Sequence, residues 1–374
     1  MFRFIHSSDL HIGKRFGNMP EDLRGRLREA RHGIIARLAG QARDHDATGI
    51  VLAGDTFDSE TPTPAMRRQA LAEMADHAPL RWVLLPGNHD SLQAVELWNA
   101  VHAELPDNVM LADAPAPMML APDVALLPAP CTARRPGRDL TEWMDGAATP
   151  EGAIRLGLAH GAIQDFSEDA AASDVIAPDR AARAGLDYLA LGDWHGHVAV
   201  NARTHYSGTP EPDRFKHDAP GEALLVSIAG RAAAPAITRV ETGSFVWRTP
   251  SLQLLSGHDA AASLSALLPT GAVRRQALIR IMASGRVRLA GRTALAAAIA
   301  NMAPDFAYLE LDESALAIDC ESEDLDLIDR AGALREAAQA LLDESTDETR
   351  SGTDRAVSRA ALVRLFSYCE AIGA

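Results

Sequence analysis

The sequence has few cysteines and no apolar run long enough to cross a membrane. Its three cysteines, Cys131, Cys320 and Cys369, are widely spaced and odd in number. They favour reduced thiols over a disulfide framework and lack the paired spacing of a zinc site. The longest alanine-rich stretch, 294–303, is too short to span a bilayer. Polar residues 6–9 follow the first short apolar run too soon for an export segment, so we expect a cytoplasmic protein with no membrane partner.

Positive charge is also scarce. The chain has 36 Lys and Arg against 51 Asp and Glu, for a formal net charge of −15. This balance argues against a broadly basic nucleic-acid-binding surface. It reverses between Lys14 and Arg37, where basic residues outnumber acidic ones, and this stretch either faces a polyanion or forms a solvated helix face. Carboxylates that hold divalent cations would also inflate the negative total, because the ions offset them.

The apolar residues that are present occur in short runs separated by helical patterns. With 374 residues, 47% of them hydrophobic, the chain can build a sizeable core and two or more domains. Strands that alternate with helices predict an α/β fold. One long helix is predicted over Glu21–Asp46, where apolar residues recur at helical spacing. The predicted strands are Phe2–Ile5, Gly49–Ala53, Trp82–Leu85, Val109–Leu111, Val124–Leu127, Ile154–Ala159 and Leu186–Leu191.

Five of these strands end in residues that can bind metal or move protons. Parallel strands place ligands beyond their carboxyl ends, so we expect these residues to meet in space. The carboxylate, imidazole and amide side chains among them suit Mn²⁺, Fe²⁺ or Zn²⁺, and no thiolate accompanies them. Asp58, near one of these ends, is interpreted as a turn residue or an outer support. The strand-end residues are Asp9, His11, Asp55, Asn88, His160, Asp193 and His195.

The same strand ends resemble the calcineurin-like metallophosphoesterase superfamily over about residues 1–215. Within it, the chain is most similar to SbcD-type nuclease subunits of double-strand-break repair, as the Ser207-Gly208 turn also indicates. The resemblance implies a four-layer α/β sandwich with a smaller α+β capping domain and C-terminal helices. The motifs that carry it are Asp9-x-His11, Gly54-Asp55-x-x-Asp58, Gly87-Asn88-His89-Asp90, His160-Gly161 and Gly192-x-x-His195.

The resemblance also implies a centre of two divalent metal ions bridged by Asp55. The donor residues favour Mn²⁺, with Mg²⁺, Fe²⁺ or Zn²⁺ as alternatives. The resemblance further implies that His89 donates a proton to the leaving oxygen and that Asp90 orients His89. The first ion would be held by Asp9, His11, Asp55 and His195. The second ion would be held by Asp55, Asn88, His160 and Asp193.

The sequence departs from the family at the last motif. The family usually has Gly-His-x-His there, whereas this chain has Gly192-Asp193-Trp194-His195. A carboxylate in place of an imidazole adds negative charge and favours Mn²⁺ or Mg²⁺ over Zn²⁺. The alternative is that His197 folds back to supply the missing imidazole.

The predicted domains are a metallophosphoesterase (nuclease) domain over 1–230, an α+β capping domain over 231–320 and a C-terminal helical segment over 321–374. In the last segment we predict helices over 327–342 and 354–372. Leu362, Leu365, Phe366 and Cys369 share one face of the second helix, which either packs on the chain itself or binds a partner.

The favoured function is a metal-dependent DNA nuclease in repair. The resemblance implies DNA and an SbcC-type ABC ATPase as partners, and a homodimer is a further prediction. One alternative is a phosphodiesterase or phosphatase that acts on small molecules, which the acidic balance would suit. Another is a non-catalytic scaffold whose altered last motif has lost a metal. Fold analogy cannot choose among these functions.

Overall fold

The computed structural model describes residues 1–163, 175–216, 218, 220–319 and 332–373. The chain divides into two compact units, Met1–Trp247 and Arg248–Ala374. The predicted domain boundaries at residues 231 and 321 stay predictions. Cys131 and Cys369 are free thiols, whereas Cys320 lies outside the described residues. No helix in the described part of the chain is both long and apolar enough to cross a bilayer.

The first unit contains two six-stranded sheets and five α-helices in its described residues. Its helices are α1 (Glu21–His32), α2 (Ile34–Asp44), α3 (Pro64–Asp76), α4 (Val95–Ala103) and α5 (Arg180–Arg183). Its strands are β1 (Phe2–Ser7), β2 (Gly49–Leu52), β3 (Arg81–Leu84), β4 (Val109–Leu111), β5 (Met118–Ala121), β6 (Val124–Ala129), β7 (Ile154–His160), β8 (Tyr188–Gly192), β9 (Val198–Asn201), β10 (Thr204–Tyr206), β11 (Glu222–Ile228) and β12 (Ala236–Glu241).

Each sheet has a parallel core, with antiparallel strands at one edge of the first sheet and at both edges of the second. The first sheet has the order β12-β11-β1-β2-β3-β4, and β1 to β4 run parallel. The second sheet has the order β5-β6-β7-β8-β10-β9, and β6, β7, β8 and β10 run parallel. The carboxyl ends of β1, β2 and β3 therefore lie side by side, as do those of β7 and β8.

The alternation of side chains along the strands produces the layers. Ile50 and Leu52 pack on the helical layer that includes Leu38 of α2, because alternate residues of a strand share a face. Val51 points the other way and joins the core between the sheets, which also contains Leu156 of β7. The second sheet packs its outer face against α5. The result is the expected four-layer α/β sandwich.

Several local predictions differ from the structure, among them one helix and one strand of the first sheet. The helix predicted over Glu21–Asp46 is two helices, because the chain breaks at Gly33, whose ψ of −1° departs from the α-helical value of about −42°. The strand β11 was not predicted, although it pairs with β1 and completes the first sheet. Five of its seven residues are buried, so its sequence lacks the alternation that identifies a half-exposed strand.

The second unit combines parallel strands with helices. It contains β14 (Ser251–Leu254), β15 (Ala277–Arg288), β16 (Tyr308–Asp319), α6 (Ala260–Leu267), α7 (Leu289–Met302), α8 (Ala333–Thr346) and α9 (Gly352–Gly373), and β13 (Val246–Arg248) lies at the unit boundary. The strand β15 pairs in parallel with β14 and β16. The helix predicted over 327–342 begins at Ala333 in the described part, and 327–331 lie outside it. Leu362, Val363 and Phe366 of α9 pack with Leu289 and Ala338 of the same unit.

Candidate metal centre

The carboxyl ends of the parallel strands bring the predicted site residues together. Residues far apart in the sequence meet because the two sheets both contribute strand ends to one place. Asp9 and His11 follow β1, Asp55 follows β2, Asn88 and His89 follow β3, His160 ends β7, and Asp193 and His195 follow β8.

The first cluster comprises Asp9, His11, Asp55 and His195. The Nε2 atom of His11 lies 3.8 Å from Asp9 Oδ1 and 3.8 Å from Asp55 Oδ2. The Nε2 atom of His195 lies 3.4 Å from that of His11 and 3.8 Å from Asp9 Oδ1. Ligand atoms about 3–4 Å apart are the spacing that one ion with bonds of about 2 Å produces. The cluster thus has the geometry of a single cation site.

The second cluster comprises Asp55, Asn88, His160 and Asp193. His160 Nε2 lies 3.5 Å from Asp55 Oδ2 and 3.7 Å from Asp193 Oδ1. The amide nitrogen of Asn88 donates a 2.8 Å hydrogen bond to the same Asp193 oxygen. Asp55 Oδ2 contacts residues of both clusters, so it lies between them, at the position that a bridging carboxylate requires.

The backbone at these residues is strained. Among the described residues, seven other than glycine have positive φ, and four of them belong to the clusters. These are Asp9 at 55°, His11 at 44°, Asp55 at 55° and Asp193 at 99°. Such conformations cost about 1–3 kcal/mol each and concentrate at functional sites. The folded chain therefore holds these side chains in place against a local preference.

One glycine allows the strand ends to approach closely. A Cβ atom at Gly87 would collide with the carboxylate and backbone nitrogen of Asp55. Because position 87 has no side chain, the backbone nitrogen of His89 can donate a 2.9 Å hydrogen bond to Asp55 Oδ1. That bond occupies one carboxylate oxygen of Asp55, and the other oxygen faces both clusters.

Comparison with known families agrees with this arrangement. The family model described as calcineurin-like phosphoesterase matches residues 2–226, which is more than half of the chain. The chain belongs to the calcineurin-like phosphoesterase family. Members of this family are metal-dependent phosphoester hydrolases, and the clusters described above lie within the matched residues.

Two curated proteins resemble this phosphoesterase over part of its length. One is the SbcD subunit of the SbcCD nuclease of Rhodobacter capsulatus, with 33% identity over 113 residues, or 29% of this chain and 26% of that protein. The other is the SbcD subunit of the Escherichia coli K12 nuclease, with 29% identity over 137 residues, or 34% and 32% of the two chains. The matches thus span about a third or less of these relatives.

Among solved structures, TT1561 of Thermus thermophilus aligns with a TM-score of 0.41 and 10% identity, over 64% of this chain and 99% of that one.

The chemistry of the phosphoesterase site fits divalent ions. Among the described residues, four buried cluster atoms have no hydrogen-bond partner: one is His11 Nδ1, which faces Asp58, and the other three are Asp9 Oδ1, Asn88 Oδ1 and His160 Nε2. Buried polar atoms are normally paired, and an atom without a protein partner is explained when it is a ligand for an ion. All three are atoms that bind hard or borderline cations. The donor set therefore suits the divalent metals that the family uses.

The pKa shifts of His160 and Asp55 in the second cluster also indicate a cation site. Burial alone would lower the pKa of His160, but the Asp55 carboxylate raises it well above its ordinary value. Burial would raise the pKa of Asp55, but His160 and His11 hold it below its usual range. Asp55 and His160 thus stabilise a proton between the carboxylate and the ring nitrogen, and a bound cation would replace that proton.

Two histidines of the phosphoesterase are oriented by carboxylates. His195 Nδ1 lies 3.1 Å from Asp213 Oδ1, and His11 Nδ1 lies 3.3 Å from Asp58 Oδ1. Carboxylates in this position fix the ring and increase its basicity as a metal ligand. The role expected for Asp58, an outer support, agrees with this geometry. Asp213 was missed because it lies in a loop and no spacing pattern links it to His195.

The contacts of Asp90 differ from the expected one. Its carboxylate accepts hydrogen bonds from the backbone nitrogens of Phe57, at 2.9 Å, and Gly87, at 2.7 Å. The Nδ1 atom of His89 instead lies 3.1 Å from the carbonyl oxygen of Asp58. Burial and the nearby Asp55 raise the pKa of Asp90 to about 7. Asp90 therefore holds the two loops together, and the Asp58 backbone orients His89.

The structure also distinguishes Asp193 from His197. Asp193 lies within the second cluster, and its backbone nitrogen donates a 3.1 Å hydrogen bond to Asp9 Oδ2. The ring of His197 instead stacks on that of His205, with centroids 5.9 Å apart and planes 13° from parallel. The described geometry thus favours Asp193 over His197 as the second-cluster residue.

Two arginines of the basic stretch between Lys14 and Arg37 make contacts within the protein. Arg31 is buried, and its guanidinium donates to the carbonyl oxygens of Leu10 and Glu211. Arg37 binds the carboxylate of Glu211 at 2.7 Å. These two cations support the loops beside the site, so they are not available to face a polyanion.

Proposed function

We propose that this phosphoesterase is a metal-dependent DNA nuclease of the SbcD type that acts in DNA repair. The observation that carries the proposal is the set of unpaired, buried ligand atoms at the meeting point of both sheets. The likeness to the SbcD subunits of two SbcCD nucleases supports DNA as the substrate. An SbcC-type ABC ATPase, a homodimer and a cytoplasmic location belong to the same proposal.

Two divalent ions would be held by residues of the two clusters. Asp9, His11, Asp55 and His195 would hold the first, and Asp55, Asn88, His160 and Asp193 the second. A pair of such ions supplies Lewis acidity and an activated water for attack on a phosphodiester. Mn²⁺ is favoured because the second cluster contains two carboxylates and an amide oxygen but a single imidazole.

His89 would give a proton to the departing oxygen. A carbonyl oxygen can only accept a hydrogen bond, so the contact with Asp58 keeps the hydrogen on His89 Nδ1. The other ring nitrogen, Nε2, is then the one that exchanges a proton with the substrate. General acid catalysis of this kind contributes about 10²–10⁴-fold to a rate.

The experiment compares wild type with His89→Ala in the presence of Mn²⁺. Its substrates are linear duplex DNA, single-stranded DNA and bis(p-nitrophenyl) phosphate. We expect His89→Ala to lose about 10²–10⁴-fold in DNA cleavage, the range of general acid catalysis. The loss should be smaller with the nitrophenyl ester, because p-nitrophenolate leaves without being protonated.

The matched control is His102→Ala. His102 is a half-exposed imidazole that pairs with Asp113, and its removal should leave all three rates unchanged. An equal loss in His89→Ala on all substrates would contradict proton donation. Failure of the wild type to bind Mn²⁺ would contradict the proposal as a whole and favour a non-catalytic scaffold.

A small-molecule phosphodiesterase is the second candidate function. The net charge of −15 favours it, because an acidic surface repels a polyanion more than a small ester. Cleavage of the nitrophenyl ester with both DNA substrates untouched would select this function.

A further inference from the structure

Arg214 lies at the edge of the first cluster, between the site and solvent. Its Nη2 atom lies 3.1 Å from His195 Nε2. Its Nε and Nη2 atoms lie 3.0 and 3.3 Å from the two carboxylate oxygens of Asp213. The side chain is 46% exposed, whereas Asp213 is buried. One side of the guanidinium is therefore held by the protein, and the remainder is open to solvent.

The contact with His195 defines which ring nitrogen carries a lone pair. A guanidinium has only donors and stays charged, so the nitrogen that it faces must accept. His195 Nε2 is thus the acceptor, and Nδ1 donates to Asp213. The same Nε2 lone pair is the one that the first cluster would offer to a metal ion. A guanidinium and an ion cannot share it.

Arg214 therefore has to turn away from His195 when the first cluster holds an ion. The bonds to Asp213 keep it tethered at the same edge while it turns. Lys14, another cation that pairs with Asp213, is only 23% exposed and also lies 4.0 Å from Asp58. Arg214 is the more exposed of the two, and it can reach outward.

A phosphate group needs positive charge at this edge. The clusters contribute the carboxylates of Asp9, Asp55 and Asp193, which repel an anionic ester wherever bound ions do not offset them. A guanidinium pairs with phosphate oxygens through two parallel hydrogen bonds. The displaced guanidinium has both the charge and the donors that such a group requires.

We propose that Arg214 is a phosphate-binding residue, which leaves His195 Nε2 when the metal binds and pairs with a non-bridging oxygen of the substrate. The inference rests on the metal centre of the proposed function. It applies to any phosphodiester, so it holds for a DNA strand and for a small ester alike.

The test measures binding rather than turnover. Mn²⁺ alone is titrated into the metal-free protein by calorimetry, and inorganic phosphate is then titrated into the Mn²⁺-loaded protein. In Arg214→Met, Mn²⁺ should bind as tightly as in wild type or more tightly, because a competing cation is gone. Phosphate affinity should fall by about tenfold or more, the effect of one charge-assisted hydrogen bond.

Two further variants complete the design. Arg214→Lys should lose less phosphate affinity than Arg214→Met, because it keeps the charge without the paired donors, and it provides a folded comparison if the methionine variant is unstable. Arg183→Met is the matched control, since Arg183 is 50% exposed and pairs with Asp145 in the same unit. It should bind both probes as wild type does.

Three results would overturn the inference. Unchanged phosphate affinity in Arg214→Met, with Mn²⁺ bound normally, would overturn the role of Arg214 and leave the metal centre intact. A fall in Mn²⁺ affinity in Arg214→Met would mean that Arg214 only supports His195. Wild-type protein that binds no Mn²⁺ would instead overturn the proposed metal centre together with this inference.

Discussion

The two clusters share Asp55 but differ in what surrounds them. In the first cluster, Asp213 and Asp58 contact the outer nitrogens of His195 and His11. In the second cluster, His160 Nδ1 lies 2.8 Å from a backbone carbonyl, that of Ala53. The outer ring nitrogens of the first cluster's histidines therefore face charged carboxylates, whereas the outer nitrogen of His160 faces a neutral carbonyl. The first cluster should therefore bind an ion more tightly, because carboxylate partners strengthen histidine ligands.

A second difference concerns the atoms that would meet the ion. In the second cluster, Asn88 Nδ2 donates a hydrogen bond to Asp193 Oδ1, so one polar atom of each residue is already paired. The Asn88 oxygen remains without a partner among the described residues. Replacing an imidazole by the Asp193 carboxylate makes this cluster harder. It should therefore discriminate between metals differently from the first cluster.

The largest expected effect comes from removing what the clusters share. Asp55→Ala takes one ligand from each, so both ions should bind more weakly. Activity should fall by more than about 100-fold, the upper end of the effect of losing an outer partner of a metal ligand. Phosphodiesterase assays and Mn²⁺ calorimetry would measure this. Loss of one ion with normal binding of the other would show that Asp55 does not bridge, and Asp145→Ala is the surface control.

A smaller effect is expected from Asp213, which supports the first cluster alone. Asp213→Ala should weaken the tighter Mn²⁺ step about 10- to 100-fold and leave the weaker step unchanged. Asp213→Asn keeps an acceptor for His195 Nδ1 without the charge, so it should lie between the two proteins. Calorimetry resolves the two steps. Equal weakening of both binding steps would contradict the prediction that Asp213 supports the first cluster alone.

The smallest effect is expected from Asp193→His, which gives the second cluster the imidazole usual in the family. The enzyme should stay active, and its preference for Mn²⁺ over Zn²⁺ should fall by at least about tenfold, within the range that changes around a metal produce. Metal titrations of activity would measure this. His197→Ala should leave the preference as it is. Identical titrations for wild type and Asp193→His would argue against ligation by Asp193.

The sequence predicted most of what strand periodicity controls. Asp55, Asn88 and His160 could be placed because each follows an apolar run, and parallel strands bring their carboxyl ends together. The α/β class followed from the same pattern, and the four-layer sandwich followed from the family resemblance. The roles assigned to individual ligands remain proposals that the experiments above address.

What the sequence did not predict depends on contacts between distant loops. Asp213 lies 18 residues after His195 and no motif joins them. Asp90 follows His89 directly, yet its carboxylate is drawn to backbone nitrogens of two loops that meet only in the fold. Gly33 breaks a helix whose apolar periodicity continues on both sides. Periodicity carries no information about such long-range hydrogen bonds or about where one helix turns into another.

Stability and function compete at the four cluster positions with left-handed backbone, which are Asp9, His11, Asp55 and Asp193. Glycine adopts these conformations at little cost, so a glycine at any of the four positions would relieve local strain while it deletes a side chain of the two clusters. Selection for heat resistance alone would thus favour early replacement of these four residues. Ancestral or laboratory variants with higher melting temperatures but no turnover should carry their changes here.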